Sequence, residues 1–274
     1  MPELPEVEII VSGLKKVIVG KTINDIYINA PKIDNDNRKG WLRKLRHISF
    51  LDIRRRGKNI LIDLSNNHTL WIHLKMTGHL YYWPKSAAIE KHDLVIFSLS
   101  DSSYDLRFND YRRFGRIRLF KTGEIMNQKG LAELGPEPLK ISAPEFCELI
   151  TARKRMIKPA LLDQSLLAGL GNIYCDESLF LSRIHPRKST HRISQRKLVT
   201  LHRSIRKILR KAIRCMGTTV DSFAGINGEP GGFQKYLLVY GHEGEPCPRC
   251  GATIKREKIG SRSAHYCPRC QRLL

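Results

Sequence analysis

The sequence has no long hydrophobic run, no internal repeat and few acidic residues. No apolar stretch approaches the roughly 18 residues of a membrane-spanning helix, and no signal segment opens the chain. We therefore expect a protein of the cell interior with no membrane partner. Lys and Arg number 48 against 26 Asp and Glu, which leaves a net charge of +22 over 274 residues. This excess excludes an acidic disordered protein and indicates a polyanionic partner.

Cysteine is scarce over most of the chain. Three of the seven cysteines, Cys147, Cys175 and Cys215, stand far apart in apolar or helical surroundings. This distribution predicts free thiols in a reducing compartment and excludes a disulfide framework.

The other four cysteines form two CxxC pairs near the C-terminus, Cys247 with Cys250 and Cys267 with Cys270. Two thiolates on a tight turn can reach one ion, and two such turns close a tetrahedron around zinc. A redox function would need a thioredoxin-like βαβ context, which is absent. We predict a β-hairpin between the pairs and one structural Zn²⁺ with no open coordination position.

The pattern of the first half predicts a helix followed by short antiparallel strands. Apolar residues recur at helical spacing from Val7 to Ile18, and the following segments alternate or run apolar. A Gly and two prolines within 134–138 stop any regular element, so we place a domain boundary there. The N-terminal domain is thus 1–134, a helix plus an antiparallel β-sandwich of α+β class. Its predicted strands are 22–28, 48–53, 59–64, 69–74, 93–99 and 116–120.

The second half changes to a helical period. We predict a helical domain over 135–240 and a zinc finger over 241–274, with a long glycine-rich loop at 218–232 and a strand at 236–240. One face of the last helix is apolar and the rest is cationic. That cationic surface fits contact with a nucleic acid, and it fits a solvated helix face equally well. The predicted helices are 144–156, 158–166, 172–184 and 194–216.

The N-terminus is a candidate for nucleophilic chemistry. If Met1 is removed, Pro2 presents a secondary amine, and an α-amino group titrates near 7.7–8.0 against about 10.4 for lysine. Such an amine attacks an aldehyde-like carbon to give an iminium, an electron sink for elimination, and Glu3 lies beside it as an acid or base. The alternative is structural, because Pro and Glu are favoured first-turn helix residues.

Four motifs occur together and in a fixed order. They are residues 2–8 (PELPEVE), 112–115 (RRFG), 169–174 (GLGNIY) and the terminal four-cysteine finger. In this combination the chain resembles, from end to end, the bacterial formamidopyrimidine-DNA glycosylases. The resemblance implies a helix-two-turn-helix element in the second domain. It also implies a bifunctional glycosylase and abasic-site lyase that removes oxidised purines from damaged double-stranded DNA.

The resemblance assigns roles in the reaction to five residues. Pro2 falls on the nucleophile that displaces the damaged base, and Glu3 on its acid/base partner. Elimination from the resulting Schiff base then cleaves the strand on both sides of the sugar. Lys58 matches an essential hairpin lysine that contacts phosphate; without the resemblance, an ordinary exposed turn lysine would be favoured. Glu6 and Lys158 match groups that handle the lesion.

The resemblance also assigns the contacts that hold DNA. When a nucleotide leaves the base stack, side chains must fill the space it vacates. The resemblance implies that Met76, Arg112 and Phe114 form the wedge that fills it. For Met76 and Phe114 alone, core packing would be the commoner explanation. Asn172, which is also a plausible helix N-cap, pairs with Arg262 of the finger to grip the flanking phosphates.

The sequence departs from the family pattern at two positions. Tyr111 stands where many family members have Pro, and Cys175 where a small residue is usual.

One alternative function is that of the related endonuclease VIII type, which acts on oxidised pyrimidines. Leu4 with the Arg112 and Phe114 wedge favours the purine enzyme. The other alternative is a non-catalytic DNA-binding protein, and the presence of Pro2, Glu3 and Lys58 is evidence against it. We expect a monomeric, cytoplasmic bacterial enzyme that associates with the nucleoid when bound to DNA.

Overall fold

The computed structural model describes residues 1–29, 40, 42–220 and 223–273. It divides into two compact units, Met1–Ala132 with Cys215–Gly232, and Glu133–Arg214 with Phe233–Leu274. The first division lies beside the boundary predicted near residue 134. Among the described residues, no helix is long and apolar enough to cross a membrane.

The first unit begins with helix α1, Leu4–Ile18, whose apolar stripe is buried in the core. Two four-stranded antiparallel sheets follow. One has the spatial order β1 (Ile23–Ile28), β6 (Asp93–Leu99), β7 (Tyr104–Asp110), β5 (Gly78–Pro84), and the other has the order β2 (Phe50–Arg56), β3 (Asn59–Leu64), β4 (His68–His73), β8 (Arg116–Lys121).

Both sheets and α1 contribute to one hydrophobic core. Phe50 of one sheet meets Phe97 of the other edge to face, with ring centroids 6.4 Å apart, in the geometry that aromatic pairs prefer. The predicted α+β class with an N-terminal helix and antiparallel β-sandwich is confirmed.

Two strands, β5 and β7, were not predicted. β7 carries charged residues at buried positions, so it lacks the apolar pattern that marks a strand. Arg107 is 1% exposed and its guanidinium donates to the Pro84, Ala87 and Ala88 carbonyl oxygens and to the Asp93 carboxylate. Hydrogen bonds that satisfy a buried charge allow it to occupy a central strand.

The second unit contains four helices and a terminal hairpin. Ser142 caps the first helix reciprocally with Glu145, as a capping box does. The helices are α2 (Ala143–Thr151), α3 (Ile157–Leu162), α4 (Asn172–Leu181) and α5 (Gln195–Arg214), and the hairpin strands are β9 (Lys255–Ile259) and β10 (Arg262–Tyr266). All four helices are shorter than predicted.

The strand predicted over residues 236–240 is not present. A short 3₁₀ helix spans Phe233–Tyr236, and the following chain runs over the Glu177 carboxylate. That carboxylate accepts backbone N–H bonds from Leu238, Val239 and Tyr240 at 2.9–3.0 Å. The amide groups that a sheet would use are therefore bound by a buried side chain.

The segment Cys215–Gly232 belongs to the first unit, whereas the prediction placed it in the helical domain 135–240. Its ends meet through the bond from Gly232 N–H to the Cys215 carbonyl oxygen, at 2.8 Å. The Ile226 carbonyl oxygen accepts from Tyr82 N–H of β5 at 2.7 Å. Asp221 and Ser222 of the predicted loop lie outside the described residues.

Candidate active site and phosphate-binding residues

The N-terminal residues of the first unit are buried together. Pro2 is buried, and Glu3 and Glu6 are 3% and 2% exposed. The Glu6 carboxylate accepts from Glu3 N–H through Oε2 and from Thr218 N–H through Oε1, both at 2.9 Å. Glu6 therefore fixes the backbone next to Pro2 and joins it to the start of the 218–232 loop.

Lys58 lies in the two-residue turn between β2 and β3 and is only 7% exposed. Gly57 has φ +57°, the left-handed region that a tight hairpin requires. Arg55 holds this turn against α1: its guanidinium donates to the Gly57 carbonyl oxygen at 2.8 Å and pairs with Glu8 at 2.6 Å. Lys58 is thus not an ordinary exposed turn lysine.

His73, at the end of β4, was not singled out from the sequence. Its pKa is lowered to about 3, chiefly by burial and further by the charges of Lys75 and Lys58. Its Nδ1 accepts from Lys75 N–H at 2.9 Å. His73 is therefore a neutral group beside Lys58. A lone histidine at a strand end gives no sequence signal of this kind.

Met76 is half-buried in the turn between β4 and β5. Gly78 N–H donates to the Leu74 carbonyl oxygen at 2.9 Å, and a Cβ on Gly78 would lie 2.6 Å from that oxygen. Only glycine fits there, so the turn that presents Met76 is closed by backbone contact.

Arg112 and Phe114 lie on the loop between β7 and β8. Both are exposed, Phe114 by 51%, so Phe114 is not a core residue. The Arg112 guanidinium carbon lies 4.7 Å from the Phe114 ring centroid, within the range of a cation–π contact.

Asp110 holds the Met76 turn and this loop together. It is fully buried, and its carboxylate accepts from Thr77 Oγ1, from Arg112 N–H at 3.1 Å and from Gly115 N–H at 2.7 Å. The sequence prediction missed Asp110. The signal that could have found it is an aspartate directly before a glycine-terminated loop.

In the second unit, Asn172 is the first residue of α4, and Gly171, not Asn172, is its N-cap. The Asn172 Oδ1 atom is buried and has no hydrogen-bond partner in the described part of the chain. This oxygen can accept only from a donor such as a water molecule, whereas the Nδ2 group of the same amide can donate to an anion at the helix N-terminus.

Lys158 is completely buried. Its Nζ donates to Asp176 Oδ1 and to the Ser263 carbonyl oxygen, both at 2.5 Å. It joins α4 to β10 next to Arg262, and both bonds would have to break before it could reach a ligand. Arg262 itself is exposed at the hairpin tip, opposite Ile259.

The four cysteines converge as predicted. Their Sγ atoms all lie within 4.8 Å of one another, and those of Cys250 and Cys267 are 3.5 Å apart. Sulfurs around a tetrahedral zinc are about 3.8 Å apart, given Zn–S bonds of about 2.3 Å. Backbone N–H groups of Arg249 and Cys270 point at the Cys247 and Cys267 sulfurs at 3.4 Å. This donor set fits one structural zinc ion.

Three family descriptions match successive parts of the chain. They are the formamidopyrimidine-DNA glycosylase N-terminal domain over residues 1–117, the H2TH domain of the same enzymes over 134–224, and the zinc finger found in FPG and IleRS over 244–273. A formamidopyrimidine-DNA glycosylase of Lactiplantibacillus plantarum is 43% identical over 275 residues and covers 100% of both chains. The chain belongs to the formamidopyrimidine-DNA glycosylase family.

Solved structures of this family have the same fold. A complex between Lactococcus lactis Fpg and DNA containing an abasic site has a TM-score of 0.92 at 36% identity, covering 98% of this chain and 99% of that one. A complex of the wild-type Lactococcus lactis protein with DNA containing an oxidised pyrimidine has a TM-score of 0.91 at 37% identity, covering 99% and 100%. The predicted family and its zinc finger are confirmed, and this glycosylase family acts in DNA repair.

Proposed function

We propose that this chain is a bifunctional glycosylase and abasic-site lyase that removes 8-oxoguanine and formamidopyrimidines from duplex DNA. The observation that carries the proposal is the buried N-terminal cluster, in which the Glu6 carboxylate binds both Glu3 N–H and Thr218 N–H. Bonds on both oxygens fix the backbone around Pro2, and a fixed nucleophile reacts with less entropic cost.

The chemistry begins at Pro2 after removal of Met1. The neutral Pro2 nitrogen forms a bond to the anomeric carbon of the sugar as the bond from that carbon to the damaged base breaks and the base leaves protonated. Sugar-ring opening then gives an iminium, which draws electrons from the neighbouring carbon. Loss of protons from the sugar expels the 3′ phosphate and then the 5′ phosphate by β- and δ-elimination. Glu3 holds and moves the proton in these steps.

Lys58 and the two loops held by Asp110 handle the DNA around this reaction. Lys58 presents a cation to a backbone phosphate near the lesion, and His73 beside it stays neutral. Phe114 and Arg112 are exposed on one loop and Met76 lies on the other. A ring, a planar cation and a thioether fill the space that an extruded nucleotide leaves.

The second unit supplies phosphate contacts at one end of α4 and at the hairpin tip. Asn172 is the first residue of α4 and offers the Nδ2 donor of its amide at that helix N-terminus, and Arg262 extends from the hairpin. We infer that both contact phosphates that flank the lesion. Lys158 supports this grip through Ser263, so its part in lesion handling is indirect.

Borohydride trapping tests the reaction. A duplex with 8-oxoguanine should give a covalent adduct that is reduced at the Pro2 nitrogen, and peptide mass should place the DNA remnant on Pro2. Intact mass must first show that Met1 is absent, because a retained Met1 blocks the amine. Absence of an adduct when Pro2 is the free N-terminus would refute the proposal.

A second substrate class has a specific observation in its favour. The wild-type Lactococcus lactis protein, 37% identical to this chain, has been solved with DNA containing an oxidised pyrimidine. Trapping on an oxidised-pyrimidine duplex should therefore run beside the 8-oxoguanine duplex. We expect faster trapping on the purine lesion, and the opposite order would assign the chain to the endonuclease VIII type of activity.

A further inference from the structure

A strongly cationic pocket lies beside the zinc site in the second unit. Its volume is about 570 Å³, and Cys250 and Cys270 form part of its wall. Its remaining lining consists entirely of basic residues drawn from four parts of the chain, which are Arg183, Lys197, Arg249, Arg269 and Arg272.

Three of the five pocket cations, Lys197, Arg249 and Arg269, donate to backbone carbonyl oxygens. Lys197 Nζ donates to the Arg183 carbonyl oxygen at 3.1 Å, and the Arg249 guanidinium donates to the Phe180 carbonyl oxygen at 3.2 Å. Arg249 also lies over the Phe180 ring, 4.5 Å from its centroid. These contacts orient the side chains and leave most of their donors open, since each guanidinium has five N–H groups.

Other arginines of the same unit have carboxylate partners. Arg187 pairs with Glu257 at 2.9 Å, and Arg256 pairs with Glu243 at 2.9 Å. Within the described residues, none of the five pocket cations has a carboxylate oxygen within 4.0 Å. Arg187 and Arg256 thus have acidic partners, whereas the five pocket cations have none in the described part of the chain.

The zinc site balances only part of this charge. Four thiolates around Zn²⁺ carry two net negative charges, against the five cations of the pocket. An excess of positive charge remains in a concave space, which is the setting in which an anion binds.

The pocket lies at the far end of α4 and of the hairpin from the proposed phosphate grip. Asn172 begins α4 and Arg183 follows its end, so they are about 16 Å apart along the helix axis. Arg262 is at the hairpin tip, and the zinc turn at Cys267 follows the other end of β10, again about 16 Å away. The pocket is therefore a separate site.

We propose that this pocket binds a backbone phosphate of duplex DNA outside the group contacted by Asn172 and Arg262. The proposal rests on the proposed function only in taking duplex DNA as the partner. Because the pocket is separate from Asn172 and Arg262, we expect its phosphate to lie outside those next to the lesion.

The test compares two doubly substituted proteins that lose the same charge. Arg249→Gln with Arg272→Gln alters the pocket, and Lys140→Gln with Lys154→Gln removes two exposed cations elsewhere in the unit. Binding to an undamaged duplex of about 30 base pairs is measured by fluorescence anisotropy over a range of salt concentrations. Phosphate-ethylation interference on a duplex with an abasic-site analogue then identifies the phosphates that each protein needs.

We expect the pocket variant to lose about tenfold in affinity near 0.1 M salt. Its salt slope should fall by about one to two, at roughly 0.9 for each phosphate that the protein no longer neutralises. Interference should disappear at outer phosphates and persist next to the lesion analogue. The control variant should bind and footprint like the unsubstituted protein.

Three outcomes would overturn the proposal. The control variant could lose as much affinity as the pocket variant, or the pocket variant could keep its salt slope and its footprint. The pocket variant could also bind weakly only because it has lost zinc, which mass spectrometry measures. Borohydride trapping at saturating protein is scored separately. If the pocket variant forms the covalent adduct normally but lacks the outer phosphate contacts, the proposed function stands. If the unsubstituted protein never forms the adduct, the proposed chemistry at Pro2 is wrong.

Discussion

Two buried lysines, one in each compact unit, act on different neighbours. Lys158 has no exposed surface, and its charge is matched by Asp176. Lys58 is 7% exposed in a hairpin turn, and its charge helps burial and Lys75 to lower the pKa of His73 to about 3. The charge of Lys158 is paired with a buried carboxylate, and the charge of Lys58 disfavours a proton on the neighbouring His73.

This difference separates a lysine that stabilises the fold from one that acts on a ligand. The two charges of a buried ion pair compensate each other, and loss of one partner leaves the other charge unpaired in a medium of low dielectric constant. Lys58 instead lies in a hairpin turn next to a neutral histidine, where we propose that a backbone phosphate binds. Similar burial therefore conceals opposite functions, and substitution of each lysine should give opposite phenotypes.

The largest effect is expected for Lys158→Met. It leaves Asp176 buried without its cation, so the free energy of unfolding should fall by about 3–5 kcal/mol. Urea denaturation measures this change. Lys140→Met, at an exposed site of the same unit, is the control and should change stability little.

Adding Asp176→Asn to Lys158→Met should restore part of the lost stability, because the two effects are coupled. Strictly additive losses would show that the pair contributes no coupling, and the contrast between the two lysines would fail.

Lys58→Met should lower the rate of the reaction and leave the stability nearly unchanged. Stability should change by less than about 1 kcal/mol, whereas the single-turnover rate on an 8-oxoguanine duplex should fall by about 10²-fold, the usual loss when one electrostatic group of a site is removed. Lys129→Met removes an exposed cation of the same unit and should leave the rate unchanged. A Lys58 variant with a normal rate and reduced stability would give this lysine a structural role.

His73 gives the same region a pH dependence of stability. Its pKa falls from an ordinary value of 6.5 to about 3 in the folded chain. Between these values the unfolded chain binds a proton that the folded chain does not. The stabilisation is complete above pH 6.5 and is lost as the pH falls toward 3, with a slope of at most about 1.4 kcal/mol per pH unit.

His73→Gln should flatten this dependence in denaturation curves measured from pH 4 to 7. His47→Gln, which removes an exposed histidine of the same unit, should keep the slope of the unsubstituted protein. Equal slopes for all three proteins would show that His73 is not held neutral.

The sequence predicted those parts of the molecule that depend on local pattern. The spacing of apolar residues predicted α1, and the two CxxC pairs predicted the zinc ligands. It missed β7, where Arg107 is buried by bonds to carbonyl groups of a distant segment. It also missed Asp110 and the environment of Lys158, because their partners are far away along the chain and no local pattern reports them.

The smallest effect is expected at Tyr111, on the loop that carries Arg112 and Phe114. Arg113 N–H donates to the Asp110 carbonyl oxygen at 3.2 Å, which makes Tyr111 the second residue of a turn, the position that proline favours. No bond to Tyr111 N–H is present in the described chain. Tyr111→Pro should therefore stiffen the loop that carries Arg112 and Phe114 and raise the free energy of unfolding by about 0.4–1 kcal/mol.

The ring of Tyr111 makes an edge contact with His92, at 6.4 Å between centroids, so Tyr111→Ala is the matched control that loses the ring without stiffening the chain. The proline variant should be more stable than the alanine variant and should bind a duplex with an abasic-site analogue more tightly, because less freedom is lost when the loop enters the DNA. Equal stability of the two variants, which both lose the ring, would show that backbone stiffness at this position does not stabilise the loop.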